Sequence, residues 1–398
     1  MNLQGCREKK GFKDSRVQGF KGTKKRGEWP GNLKITKLFI DENAVDFPAA
    51  KSMLQRYKMP FEIAGSQDEV YEFISDSEYP IQQAKETLYI TKNRGSFIKE
   101  CPGTSYYTCC GYKILHIGTF CSMDCSYCIL QSYFHPPVLQ FFVNHEDLLK
   151  EIDTLFKKEA VSRVGTGEFT DSMIWERWAD LSTILVPEFS EQSRAVLELK
   201  TKTTDIDLLK GLRHNRKTIV SWSLNTKRVI KEQERRTSSL TARLKAAAVC
   251  ESWGYPVSFH FDPVILYDGC EEEYKKVIQS IFSYVSPDNI VWISIGTFRF
   301  IPALKSIIRK RFPNSKIPYG EFVTGLDGKM RYFKPLRIDI YKKMVAWIKE
   351  IAPDIVVYFC MEDDEVWEKA AGFVPKDRGG LAAMLDESAI QHCGLKVF

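Results

Sequence analysis

Cys121-Ser122-Met123-Asp124-Cys125-Ser126-Tyr127-Cys128 sets three cysteines at C-x3-C-x2-C spacing. Three thiolates so spaced can converge on one cubane 4Fe-4S cluster, and a cubane held by three cysteines keeps one iron without a protein ligand. An open iron is a place for chemistry. Two blander readings compete, a zinc site and three unrelated core cysteines. Structural zinc takes four ligands, whereas the next histidine, His135, lies seven residues beyond Cys128 and runs into Pro136 and Pro137. An apolar, β-rich run from Tyr112 to Ile117 leads directly into the triad. The fold therefore turns on what that strand belongs to.

Downstream the same pattern recurs. Runs at Ala160 to Val164, Ala195 to Leu199, Thr218 to Trp222, Pro256 to Phe261 and Ile290 to Ile295 alternate with stretches of helical spacing. The helices expected between them are His145 to Lys158, Met173 to Leu185, Asp205 to His214, Leu240 to Trp253, Glu271 to Val285 and Pro302 to Arg311. Six βα units predict parallel strands with crossover helices, an α/β barrel that is closed or partly open. Loops after the strand C-termini form the active face of such a fold, and the triad follows the first strand.

Before the barrel, a strand is expected at Lys34 to Ile40, a helix at Asn43 to Tyr57, and a second α/β piece from Glu62 to Leu88. Beyond Asn314 the chain becomes rich in turn residues, followed by a helix from about Leu336 to Ile351 and a strand at Ile355 to Phe359. The expected division is a basic arm over 1–35, an N-terminal α/β extension over 36–111, a partial (β/α)6 barrel over 112–313 and a C-terminal extension over 314–398.

Composition narrows the class. Of 398 residues 44% are apolar, enough for a core, yet no run of eighteen apolar residues occurs and Met1 to Lys10 has no apolar signal region. A cytoplasmic protein without a membrane span is expected. Eleven cysteines in such a chain are reduced thiols or metal ligands rather than a disulfide framework. Between Arg7 and Glu28 nine basic residues face three acidic ones, so the arm carries the whole formal charge of +6. Such an arm, disordered on its own, either binds nucleic acid or solubilises the chain.

The triad spacing resembles that of the radical S-adenosylmethionine (radical SAM) enzymes, in which the open iron chelates the amino and carboxylate groups of S-adenosylmethionine. The aromatic Tyr127 before the third cysteine fits the same pattern. Cys121, Cys125 and Cys128 would then be the cluster ligands. After the second strand comes Gly165-Thr166-Gly167-Glu168, where glycines allow close backbone approach and the carboxylate can accept from the methionyl ammonium. Asp171 and Ser172 follow in that loop, where either is also a helix N-cap. Strand three ends Lys200-Thr201-Lys202 and strand four Ser221-Trp222-Ser223-Leu224-Asn225; a lysine there can pair with the cofactor carboxylate, and Ser223 and Asn225 can bond it or the ribose. A lysine after a strand can equally be plain solvated charge. His260 reads as a satisfied core histidine. Beyond strand four, Lys227, Arg228, Lys231, Arg235 and Arg236 either contact phosphates or pair with Glu232 and Glu234.

Within that superfamily the chain resembles the spore photoproduct lyases, through Gly118 to Gln131, Ser221 to Asn225, Arg235 to Arg243, Gly254 to Ile265 and Phe298 to Phe300. The resemblance implies a partial (β/α)6 barrel and reductive cleavage of S-adenosylmethionine to methionine and a 5′-deoxyadenosyl radical. That radical abstracts a hydrogen atom from a thymine dimer in DNA. It also implies an electron donor such as flavodoxin or ferredoxin. Gly165, Gly167, Glu168, Asp171, Lys202, Ser223 and Asn225 become the expected cofactor contacts, and Tyr127 a candidate for radical transfer.

Two departures stand out. The lyases have a cysteine hydrogen donor after strand two, where this chain has Phe169, and a tyrosine after the third cluster cysteine, where it has Ile129. Cys109 and Cys110 precede strand one and, at ~3.3 Å per strand residue, are expected ~16 to 20 Å from the cluster end unless a loop folds over; Cys101 is freer to return to the active face, Cys270 begins a helix and Cys360 ends a late strand. The leading expectation is a radical SAM enzyme acting on a DNA base. Its rivals are the same chemistry on an RNA base, a protein side chain or a metabolite, and a non-catalytic nucleic-acid binding protein with a structural cluster.

Overall fold

The computed structural model describes residues 35–103, 106–176 and 178–396. The basic arm expected over 1–35 lies outside them except for Ile35. Seven parallel strands form the main sheet, in sequential order: β1 (Lys113–Leu115), β2 (Ser162–Gly165), β3 (Ala195–Thr201), β4 (Thr218–Ser223), β5 (Val257–Val264), β6 (Ile290–Thr297) and β7 (Val356–Phe359). An antiparallel strand, Ile98–Glu100, closes the β1 edge. Every residue of β4 and β6 is buried, as parallel strands covered on both faces require. The fold is the expected partial barrel, with one strand more than six. The late strand expected in the C-terminal extension pairs with β6, Trp292 opposite Val356 and Ile295 opposite Phe359.

Two expected helices are replaced. Over 173–176 and 178–179 the chain runs in turns, and helix begins at Leu181 (Leu181–Ser190). Met173, Ile174, Trp175 and Trp178 are all buried, so that segment has no solvent face to give a helical stripe. Between 205 and 214 only a 3-10 turn, Asp207–Leu209, forms. There Gly211 has φ +77° and the Thr203 hydroxyl accepts from the Asp205 amide, local bonding that competes with helix. The helix expected at Asn43 to Tyr57 begins only at Pro48 (Pro48–Tyr57), the other expected helices appear within one or two residues, and Ser239 caps Leu240–Ser252 by accepting from the Ala242 amide at 3.3 Å.

A second sheet holds the N-terminal extension against the barrel. Its strand order is Glu62–Ala64, Lys37–Asp41, Thr87–Thr91, Leu139–Phe142 and Gly118–Thr119. The last two come from the stretch between β1 and β2, one just before the triad and one just after it. Gly118 is required where they cross: a Cβ there would lie 2.4 Å from the Gln140 carbonyl oxygen. Phe120 then takes a left-handed backbone, φ +66°, and turns the chain into the cysteine loop.

The open side of the barrel is bridged. Residues 101–103 lie at the β1 edge and residues 106–110 reach the β7 edge, where the Thr108 amide donates to the Glu362 carbonyl at 3.0 Å. The Tyr107 hydroxyl accepts from the Leu326 amide at 3.2 Å.

Beside this bridge, burial pushes the imidazoles of His116, where Lys99 adds to the effect, and His145, where a bond to the Phe142 carbonyl opposes it, down to about 4 from an ordinary 6.5. A proton therefore enters the unfolded chain first. The stability that these neutral rings contribute is complete above pH 6.5 and is lost as pH falls toward 4. His116 packs at 4.9 Å against both Phe142 and Phe169, and neither ring nitrogen has a hydrogen-bond partner among the described residues. His116→Phe is expected to flatten the fall of the thermal midpoint between pH 6.5 and 4; a profile parallel to the wild type would refute the assignment.

Candidate active site

The strand C-termini and the bridging segment enclose a cavity of about 450 Å³. Cys121, Cys125 and Cys128 line it together with Tyr127. Cys121 and Cys125 are buried and Cys128 partly so. Burial, with the Asp171 carboxylate next, pushes the Cys121 thiol up to about 12 while Lys85 pulls it back. Thiolates in such surroundings need cationic charge nearby, which bound iron supplies. Among the described residues no three His, Cys, Asp or Glu side chains meet closely enough to hold a single metal ion. Thiolates that each take a different iron of one cluster need not meet at a point, so the donor set fits a cluster better than zinc.

The loop backbone is tied down on two sides. The Gln131 side-chain amide donates to the carbonyls of Cys125, Ser126 and Cys128 at 3.1, 3.2 and 3.3 Å. Asp124–Cys125 also pairs antiparallel with Glu234–Arg235, the segment after the helix Lys227–Gln233 that follows β4. The Tyr127 hydroxyl donates to Glu234, which in turn accepts from Arg243. Arg243 has no exposed surface and also donates to the Ser223 carbonyl at 2.8 Å. Of the basic loop after β4, Glu234 is thus paired with Arg243, and Arg228 with Glu232 at 3.3 Å.

The sequence-predicted cofactor residues divide. Gly167, Glu168, Asp171, Lys202 and Ser223 line the cavity with the triad. The Asp171 carboxylate accepts from the Met173 amide at 3.0 Å, the Lys202 amide at 2.9 Å and the Thr201 hydroxyl at 2.8 Å. Burial raises its pKa and those bonds oppose it. Lys202 carries its ammonium 5.9 Å from the Tyr127 ring centre. Glu168 pairs with Lys200, the other lysine of that strand end; burial would lower the Lys200 pKa, but Glu168 and Glu198 hold it above the ordinary value.

Gly165 and Asn225 do not reach the cavity. A Cβ on Gly165 would sit 1.5 Å from the Tyr112 hydroxyl oxygen, so this glycine makes room for a tyrosine of the protein itself. Asn225 is spent internally: its side-chain nitrogen donates to the Pro263 carbonyl at 2.8 Å, and its oxygen accepts from the Thr226 amide at 3.0 Å and the Tyr274 hydroxyl at 2.7 Å.

The expected separation of Cys109 and Cys110 from the active face is corrected. Both line the same cavity as the triad, with Cys101 and Cys360. Strand β1 has three residues rather than six, and the chain before it folds across the barrel's open side. Phe169 lines the cavity too, its ring stacked on Tyr133 with centroids 5.9 Å apart.

Sequence reasoning missed the charged floor. Glu198 accepts from Ser221 at 2.6 Å and Ser258 at 3.0 Å and meets His260 at 2.8 Å. Burial would raise its carboxyl, but His260 and Lys200 hold it well below the usual carboxylate range. Asp262 and Arg299 pair at 3.0 Å beside it, with Arg299 also 3.2 Å from the Cys360 sulfur. The Gly254 to Ile265 stretch, which carries Ser258, His260 and Asp262, and the Phe298-Arg299-Phe300 motif were the sequence signals for this wall. His260 is the satisfied core histidine expected, with Ser294 at 2.7 Å on its other nitrogen.

A family model described as spore photoproduct lyase matches residues 34–357. The spore photoproduct lyase of Clostridium acetobutylicum is 26% identical over 304 residues, 75% of this chain and 86% of that protein. That of Bacillus subtilis is 25% identical over 294 residues, 71% of this chain and 84% of that protein. Among solved structures, a spore photoproduct lyase complexed with dinucleoside spore photoproduct superposes with a TM-score of 0.74 at 21% identity, covering 83% of this chain and all of that one. A variant lyase with bound AdoMet and the same dinucleoside gives 0.72 over 83% of this chain and 98% of that one. The length and order of the family match, the partial barrel and the triad at its active face agree, and the chain belongs to the spore photoproduct lyase family, DNA repair enzymes of the radical SAM superfamily that use S-adenosylmethionine and an iron-sulfur cluster.

Proposed function

We propose that this chain holds a 4Fe-4S cluster on Cys121, Cys125 and Cys128, cleaves S-adenosylmethionine reductively, and abstracts a hydrogen atom from a thymine lesion in DNA. The observation that carries this reading is the sharing of one cavity by the triad, Gly167, Glu168, Asp171, Lys202 and Ser223. Cluster and S-adenosylmethionine, when bound, supply a 5′-deoxyadenosyl radical once an electron arrives from a donor such as flavodoxin or ferredoxin.

The protein's part is positioning and charge. Lys202 offers its ammonium to the cofactor carboxylate, and Asp171 fixes the backbone from which it projects. Ser223 offers a hydroxyl beside it. Glu168, already paired with Lys200, presents remaining lone pairs to the methionyl ammonium. Gly165 and Asn225, expected as direct contacts, support this wall from behind. Tyr127 is held by Glu234 and stands between the loop and Lys202, suited to a radical relay. The basic arm over 1–35 is proposed to contact DNA phosphates, and an oxygen-sensitive cluster suits the cytoplasm.

Phe169 favours a second reading, in which the same chemistry acts on another substrate, because a phenyl ring has no readily transferred hydrogen. Against it, Cys101, Cys109, Cys110 and Cys360 bring four other thiols to the cavity. Reconstituted, reduced protein incubated with S-adenosylmethionine and dinucleoside spore photoproduct separates the cases. Restoration of the two thymine bases on their sugars supports repair; 5′-deoxyadenosine without that restoration supports the other substrate; neither product, despite a full cluster, defeats both.

A further inference from the structure

Lys85 belongs to the helix Pro80–Glu86 of the N-terminal extension, yet it serves the cysteine loop. It is 1% exposed, and a buried ammonium is costly unless paired and hydrogen-bonded. Its Nζ donates to the Cys121 carbonyl at 3.0 Å and to the Met123 carbonyl, and lies 3.7 Å from an Asp124 oxygen and 4.3 Å from the Phe120 ring centre. The same Asp124 oxygen accepts from Arg311 Nη2 at 3.0 Å, and Arg311 also donates to the Gln131 side-chain oxygen. Two cations thus share one carboxylate, leaving one net positive charge against the backbone of the ligand-bearing loop. None of the three side chains lines the cavity. Their influence on anything bound there runs through the loop and through space.

We propose that Lys85 is a positioning residue for the iron-sulfur cluster: it fixes the carbonyls of Cys121 and Met123, and its charge, shared with Arg311 around Asp124, favours the cluster's more negative, reduced state. This rests on the cluster reading above. Net charge and hydrogen bonding around a cluster are the levers a protein has on its potential, and charge acts strongly where the surroundings are dry. The extension thereby sets how readily the cluster takes the electron that starts the reaction.

Full-length holoprotein, reconstituted anaerobically, tests this by spectroscopically monitored redox titration. Lys85→Met is expected to lower the midpoint so that the reduced-to-oxidised ratio at a fixed potential drops about tenfold, which is 59 mV for one electron. Asp124→Asn, which removes the negative member, is expected to raise it. Lys85→Arg should restore most of the wild-type value. A purely structural loosening would move Lys85→Met and Asp124→Asn in the same direction, and that result, or no shift in either, overturns the proposal. If Lys85→Met assembles no cluster, Arg311→Gln replaces it as the charge-removing variant and must lower the midpoint. Failure of the wild type to assemble a cluster would instead strike the functional reading itself.

Discussion

Arg243→Met is expected to destabilise the protein by about 3–5 kcal/mol, the cost of stranding a buried partner charge. Arg243 is fully buried and Glu234 is 4% exposed. The guanidinium donates to Glu234, to the Ser223 and Ser238 carbonyls at 2.8 and 2.9 Å, and to the Thr237 hydroxyl at 2.9 Å. Methionine fills the space and satisfies none of these. Glu234, which burial would push up but Arg243 and Lys202 hold low, then retains only the Tyr127 hydroxyl among its close side-chain partners. Urea denaturation followed by tryptophan fluorescence reads the loss. Arg243→Met with Glu234→Leu should recover much of it, because no charge is then stranded. A loss under 1 kcal/mol in the single variant would mean that water reaches Glu234.

Alanine at any one of Cys121, Cys125 or Cys128 is expected to abolish both the visible absorbance of the reconstituted cluster and all cleavage of S-adenosylmethionine. Each thiolate would serve a different iron, and a cubane left with two protein ligands is not held. Cys250→Ala is the control. Cys250 is buried in the helix Leu240–Ser252, away from the cavity, so its loss should cost some stability and leave iron content intact. Retention of full iron by Cys128→Ala, the least buried of the three, would remove that residue from the ligand set.

The barrel was legible because parallel strands buried on both faces read as apolar runs, and six of the seven announce themselves that way. The seventh, β7, was read as a strand at Ile355 to Phe359 but assigned to the C-terminal extension, since its pairing of Val356 with Trp292 spans a turn-rich insertion and a long helix. Chain order gives no hint of which strand is its neighbour. The triad was legible from its spacing and the polar residues from the expected strand ends and the family resemblance, and Gly167, Glu168, Asp171, Lys202 and Ser223 do line one cavity with the triad. Their partners were not: Lys85 and Arg311 lie 36 and 190 residues from Cys121 and sit in helices whose sequences say nothing of a metal loop. Gly165 shows how a correct signal can be given the wrong cause. Something does approach that backbone closely, and it is Tyr112. Cys109 and Cys110 were misplaced because a strand length was taken from an apolar run, whereas only three of its residues pair.

The crossing at Gly118 bears on how the molecule holds together as it folds and as it is cut. Only His116 and Ile117 separate a strand of the barrel from a strand of the second sheet, and Leu139–Phe142 lies between Gly118–Thr119 and the extension's Thr87–Thr91. A fragment beginning at Tyr112 would keep every cluster ligand and still expose the Leu139–Phe142 edge, a row of unpaired backbone groups on four buried residues. Such an edge recruits other chains. Barrel and extension are therefore expected to fold together, and the metal loop begins where the chain passes from one sheet to the other.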